Sequence, residues 1–167
     1  VELGAGDDAY DMTGVLIASD RFEARGQGAD DRLTFADSTM RAGESLIAGG
    51  DGDDRIELDE MLEIGGRTTL AGDGGDDEIF IDRLPTQGPG DSLRIDGGGG
   101  SDGVLILTHG SLAGAEAGID YLVTVSDSGA PGDGADTMVV RGTDAPDTFL
   151  SRANFVALMH GTPDDIR

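Results

Sequence analysis

Residues 49–57 read Gly-Gly-Asp-Gly-Asp-Asp-Arg-Ile-Glu. Glycines cluster ahead of an aspartate pair, and apolar Ile56 and Leu58 then alternate with charged Arg55, Glu57 and Asp59. Glycine and aspartate favour tight turns. Alternation of apolar and polar residues marks a strand with one buried face. The stretch therefore reads as a turn that runs directly into a half-buried strand. The same phrase returns at fixed distances. Asp54 has counterparts 23 residues apart at Asp8, Asp31 and Asp77, and the next, Asp102, follows after 25. Beyond it the rhythm loosens, with candidates at Asp120, Asp136 and Asp147.

Two and four residues after each anchor come apolar residues: Tyr10/Met12, Leu33/Phe35, Ile56/Leu58, Ile79/Ile81, Val104/Ile106 and Met138/Val140. The residues between them are mostly polar, with Phe80 and Leu105 as exceptions. A second apolar patch precedes most loops, at Val15–Ile17, Leu46–Ala48, Thr69–Ala71 and Leu93–Ile95. Each unit reads loop, strand, bend, strand, loop. A unit this short cannot bury its apolar stripe alone, whereas stacked units bury a continuous one. The expected fold is all-β, a parallel β-solenoid that rises roughly 4.8 Å per coil. Residues 1–107 are expected to form its regular part. Residues 108–167, where Pro131, Pro146 and Pro163 interrupt the pattern, are expected to be an irregular continuation of the same solenoid.

Composition narrows the function. The 34 acidic residues face 11 basic ones, all arginine, for a net charge of -23. That balance excludes a nucleic-acid footprint, which must be basic. No apolar run approaches the length of a membrane span. Aromatics are only 4 % and tryptophan is absent, which suits a thin core of Val, Ile, Leu and Ala. Cysteine is absent too, so a secreted domain of this size needs another staple, and a metal ion can serve as one. The chain begins Val-Glu-Leu-Gly, without an initiator Met or a signal peptide, and is expected to be a segment of something longer.

The loops resemble the calcium-binding nonapeptide Gly-Gly-x-Gly-x-Asp-x-U-x of RTX proteins, where U is a large apolar residue. Residues 49–57 and 97–105 match at every defined position; residues 72–80 depart at Asp73, residues 3–11 at Leu3 and residues 131–139 at Pro131. Residues 26–34 fit least well, with Gln27 and Ala29 at glycine positions. The resemblance implies Ca²⁺ ions held between loops stacked on neighbouring coils. Family coils have roughly 18 residues, two nonapeptides, with an ion ladder on each side. One loop per 23-residue unit implies a single ladder here, with longer bends on the other side that bind no calcium. The chemistry is consistent: Ca²⁺ takes six to eight oxygens, glycines in left-handed conformations can turn carbonyls inward, and the anchor adds a carboxylate. The candidate ligand residues are Gly4, Gly6 and Asp8; Asp31; Gly50, Asp51, Gly52, Asp53 and Asp54; Gly74, Gly75, Asp76 and Asp77; Gly98, Gly100 and Asp102; and Gly132, Gly134 and Asp136. Carboxylates about 5 Å apart in such a column would repel by about 1 kcal/mol in water and about 3 kcal/mol at an effective dielectric of 20, so cations would favour folding.

No catalytic motif appears. His-Glu-x-x-His, Gly-x-Ser-x-Gly and a phosphate loop with its lysine are all missing, and His109 and His160 stand alone. The expected function is non-enzymatic: a calcium-binding structural segment of a large secreted or cell-surface bacterial protein of adhesin, fibre or surface-layer type. One alternative is a carbohydrate-binding or folding module of a secreted enzyme. Another is a self-assembling extracellular filament subunit, since uncapped solenoid ends expose strand edges. Calcium and neighbouring repeats of the same kind are the expected partners, and the resemblance implies an extracellular location.

Overall fold

The computed structural model describes residues 1–108 and 123–142 and the backbone of strands 148–152 and 155–159. Among these residues every regular element is a β-strand. The strands that follow the Asp anchors are Ala9–Thr13, Arg32–Ala36, Arg55–Asp59, Glu78–Ile81, Gly103–Leu107 and Thr137–Arg141. They form one parallel six-stranded sheet in chain order. Its register is the one the repeat demands: Tyr10, Leu33, Ile56, Ile79, Val104 and Met138 are successive partners. The chain is a parallel β-solenoid.

The remaining wall is more complex than one bend and one strand. Leu16–Gly28 and Thr39–Asp51 are each 13 residues long. In the second of them the buried positions are Met40 and Ala42, then Ser45 and Ile47, so the alternation slips by one residue across Gly43 and Glu44. The strand turns a corner there. The next two coils break at the same place, into Glu63–Ile64 and Arg67–Gly74, and into Thr86–Gln87 and Ser92–Gly99. Each of these coils thus has three sides. Gly66 shows why the corner is tight: its φ is +60° and an added Cβ would lie 2.2 Å from the Gly43 carbonyl oxygen of the coil before.

This corrects the grouping of the second apolar patches. Leu16 and Ile17 pair with Thr39 and Met40 on the second side, whereas Leu46–Ala48 pairs with Glu23–Arg25 on the third. The four patches look alike because each is apolar, but Val15–Ile17 belongs to a different side from the others.

The core is a set of columns one residue wide. Leu33, Phe35, Met40, Ile47, Ile56, Leu58, Met61, Ile64, Leu70, Ile79, Ile81, Leu93 and Ile95 are all at most 1 % exposed. Fully burying one such side chain contributes about 1.5–3 kcal/mol, so stacking supplies the stability that a single coil lacks. Arg32 and Arg55 point outward and pair with Glu57, and Arg55 also pairs with Glu78. Phe80 and Leu105, the two exceptions to the alternation, lie half-buried on the outer face, with the Arg55 guanidinium 5.8 Å above the Phe80 ring.

Stacking passes beyond residue 107. Val123–Ser126 pairs in parallel with Ser92–Gly99, and Thr137–Arg141 with Gly103–Leu107. Thr148–Arg152 and Phe155–Met159 behave differently, pairing antiparallel with each other in a sheet of their own. Asp120, Asp147, His109 and His160 lie outside the described residues.

Candidate metal centre

All the Gly/Asp loops fall at one corner, between the third side and the first. Loop positions stack in register: Gly4, Gln27, Gly50, Asp73 and Gly98 are successive partners, as are Ala5, Gly28, Asp51, Gly74 and Gly99. The left-handed slots are also shared. Gly4, Gly6, Gly50, Gly52, Gly75, Gly98 and Gly100 all have φ between +104° and +149°. Gln27 (+93°), Ala29 (+75°) and Asp73 (+76°) occupy the same slots without being glycine. A left-handed conformation costs an L-residue roughly 1–2 kcal/mol, and their smaller φ values lie closer to the left-handed minimum near +57°. In this loop Asp73 takes the left-handed slot, and Gly74 stacks over Asp51.

The anchor aspartates are the centre of the corner. Asp31, Asp54, Asp77 and Asp102 are only 3–4 % exposed. The Oδ1 of each accepts the anchor amide of the coil before: Asp8 N to Asp31 at 2.8 Å, Asp31 N to Asp54 at 2.7 Å, Asp54 N to Asp77 at 2.8 Å and Asp77 N to Asp102 at 3.0 Å. Asp102 N continues the ladder to the exposed Asp136 at 3.1 Å. The neighbouring column runs the other way. Asp53 N donates to Asp30 Oδ1, Asp76 N to Asp53 Oδ1 and Ser101 N to Asp76 Oδ1. These outer carboxylates are solvent-exposed, as is Asp51.

The second oxygen of each inner carboxylate is orphaned. Oδ2 of Asp31, Asp54, Asp77 and Asp102 is buried and meets no donor. It faces the glycine that opens the loop. A Cβ on Gly26, Gly49, Gly72 or Gly97 would lie 2.1, 2.2, 2.1 or 2.4 Å from that oxygen. At Gly26 and Gly72 the same Cβ would also lie 2.4 and 2.2 Å from the opening glycine's carbonyl oxygen in the next coil. Acceptor oxygens thus crowd a space that only a hydrogen atom lines. Sequence reading missed these opening glycines as part of the site, although glycine stands at the first loop position in all four.

Burial raises Asp54, Asp77 and Asp102, and their acidic neighbours add to it. Asp54 is pushed up to about 6 by desolvation, against the lowering effect of the Asp31 amide, with Asp31, Asp30 and Asp53 repelling its charge. Asp77 is pushed up to about 7 for the same reasons, with Asp54, Asp102 and Asp53 as the neighbours. Asp102 is raised too, first by burial and then by Asp136, Asp127 and Asp76.

Two chemical states relieve an orphaned buried carboxylate oxygen: a proton or a cation. The donor set suits a hard, oxygen-seeking cation such as Ca²⁺, which accepts carbonyls and carboxylates together. A cage built from side chains alone is not on offer, because among the described residues no three acidic or histidine side chains converge on one point. Any ion here would lean on backbone carbonyls. The last loop is the least regular. Gly134 sits over the Gly100 carbonyl, but Gly132, though left-handed at +87°, has open space around it. Gly129 takes the position over the Gly98 carbonyl instead, because the chain makes an extra turn closed by the Asp133 amide on the Ala130 carbonyl. No protein-family model, curated protein or solved structure matches this chain.

Proposed function

We propose that the chain is a calcium-stiffened structural segment of a large secreted or cell-surface protein, with one ladder of ions along its Gly/Asp corner. One observation carries the reading: four buried aspartates in register, each with one oxygen bound to a backbone amide and the other without a donor. Asp31, Asp54, Asp77 and Asp102, with the carbonyls of the loop-opening glycines, would hold the ions. Bound calcium would supply the positive charge that this column lacks and would tie each coil to the next. The work of such a segment is mechanical: a rod whose repeat unit locks only where calcium is plentiful.

The test is direct. Protein stripped by exhaustive chelation should lose most of its β-type circular dichroism at neutral pH, and millimolar Ca²⁺ should restore it. Mg²⁺ should restore it poorly, because it demands compact octahedral geometry and gives up its water reluctantly. An unchanged β spectrum and melting temperature after chelation would overturn the proposal.

A further inference from the structure

The last loop of the corner differs from those before it at its opening position. Arg25, Ala48, Ala71 and Asp96 are successive partners along the stack, and the residue after each is a loop-opening glycine: Gly26, Gly49, Gly72 and Gly97. Asp96 pairs onward with Ser126. The residue after Ser126 is Asp127. A carboxylate therefore stands where four earlier coils have no side chain at all.

Oxygens crowd this loop more than any other. Asp127 Oδ1 accepts the Gly129 amide at 2.7 Å. A Cβ on Gly129 would lie 2.2 Å from Asp133 Oδ2, 2.2 Å from the Gly98 carbonyl oxygen and 3.0 Å from Asp127 Oδ1. At Gly26 and Gly72 one carboxylate oxygen and one carbonyl line the corresponding space; here a second carboxylate joins them. A buried group points to the same place from the inside. Asp102 is 4 % exposed and its Oδ2 has no donor. That oxygen would lie 2.4 Å from a Cβ on Gly97, the residue beneath Asp127 in register and next to Gly98. Beyond the effect of burial, Asp136 and Asp127 repel the charge of Asp102. Among the described residues no arginine pairs with Asp102, Asp127, Asp133 or Asp136.

We infer that the last loop holds a further divalent-cation site outside the regular ladder, with Asp127, Asp133 and the Gly98 carbonyl as its ligands and the Asp102 carboxylate adding its charge from the inner side. The resemblance in the loops assigns neither Asp127 nor Asp133 a role. Carboxylates and carbonyls are the ligands a hard cation takes, and affinity for Ca²⁺ follows the number of charged ligands. An inner step of the ladder offers one carboxylate oxygen with one carbonyl; this loop offers two carboxylates with one. Asp127 and Asp133 are exposed, so water can complete the shell. The inference rests on the calcium reading of the corner for the identity of the ion, but not on calcium-dependent folding.

The experiment is equilibrium dialysis of the full chain against graded free Ca²⁺, with bound ions counted per chain and circular dichroism recorded on the same samples. At the lowest free calcium that keeps the chain folded, the parent should hold one ion more than Asp127→Asn or Asp133→Asn. Each variant should need about tenfold more free calcium to regain that ion, equivalent to about 1.4 kcal/mol. Asparagine at 127 keeps an acceptor for the Gly129 amide and removes only the charge, so a merely structural role for Asp127 would leave the count unchanged. Asp11→Asn, on the outer face of the first side, should bind as the parent does. Equal counts at equal free calcium in the parent and both loop variants overturn the inference. A chain that stays folded after chelation would overturn calcium-dependent folding, yet the difference of one ion would still be read. A chain that unfolds on chelation but shows no such difference would overturn this site alone.

Discussion

Asp54 is held at one oxygen by the Asp31 amide and left without a donor at the other. An unsatisfied buried charged group costs at least about 1–3 kcal/mol, so this side chain should work against the metal-free fold and for the metal-bound one. Asparagine separates the two effects. Asp54→Asn keeps the acceptor for the Asp31 amide and places an NH₂ where the orphaned oxygen was, towards Gly49. The variant should melt higher than the parent in chelator, by the equivalent of about 1–3 kcal/mol, and should gain less from added calcium. A variant that melts lower in chelator and gains as much from calcium would show that Oδ2 is not a cation ligand. Gln27 and Ala29 mark the same scale differently. They show that a left-handed slot can be filled without glycine, at a cost that stacking on Gly50 and Gly52 of the next coil must offset.

At the scale of one element, the corner column behaves as a unit, because each carboxylate lies beside the next. The raised affinities for protons set the sign of its pH dependence. Asp54 at about 6 and Asp77 at about 7 lie above the ordinary value for an unfolded aspartate of about 3.9. The folded state therefore binds more protons than the unfolded state between those limits, and stability falls as pH rises. Their contribution is fully present below about pH 4 and is lost as pH climbs through 6 and 7, each unit of difference being worth about 1.4 kcal/mol. Metal-free protein should accordingly melt highest in mild acid and progressively lower towards pH 8. Calcium competes with those protons, so the melting increment it produces should grow over the same window. Thermal melts from pH 4.5 to 8, with chelator and with calcium, check both trends. A metal-free melting temperature that rises with pH would contradict the buried-column account.

For the whole molecule, stability is nearly one-dimensional: a coil touches only its neighbours. Ile56 sits at the middle of a column between Leu33 and Ile79 and is 1 % exposed. Ile56→Asp should therefore cut the stack in two by burying an unpaired carboxylate, at a cost of several kcal/mol. Because that defect lies in the core and not at the corner, high calcium should recover little of the lost melting temperature. Recovery to the parent's value would show that the corner, not the apolar columns, dominates cohesion.

Much of this architecture was legible in the chain itself. The spacing of Asp8, Asp31, Asp54 and Asp77 sets the coil length, and the apolar pairs that follow them specify the register of the first side, because alternation along a strand is a local property. Other features depended on stacking. The alternation slips at Gly43 and Glu44, and only the folded chain shows that the slip is a corner and the coil three-sided. The sequence offers Asp–Asp pairs at 53–54 and 76–77 without saying how each member is used. In the structure Asp54 and Asp77 turn in and accept amides from the coil before, while Asp53 and Asp76 turn out and accept from the coil after. The oxygens of Asp127, Asp133 and Gly98 likewise come together from separate coils. The physical reason is the same throughout. Local chemistry dictates which residues turn and which alternate, but contacts along the solenoid axis join residues 23 or more apart, and only packing decides which oxygen is covered and which donor is left over.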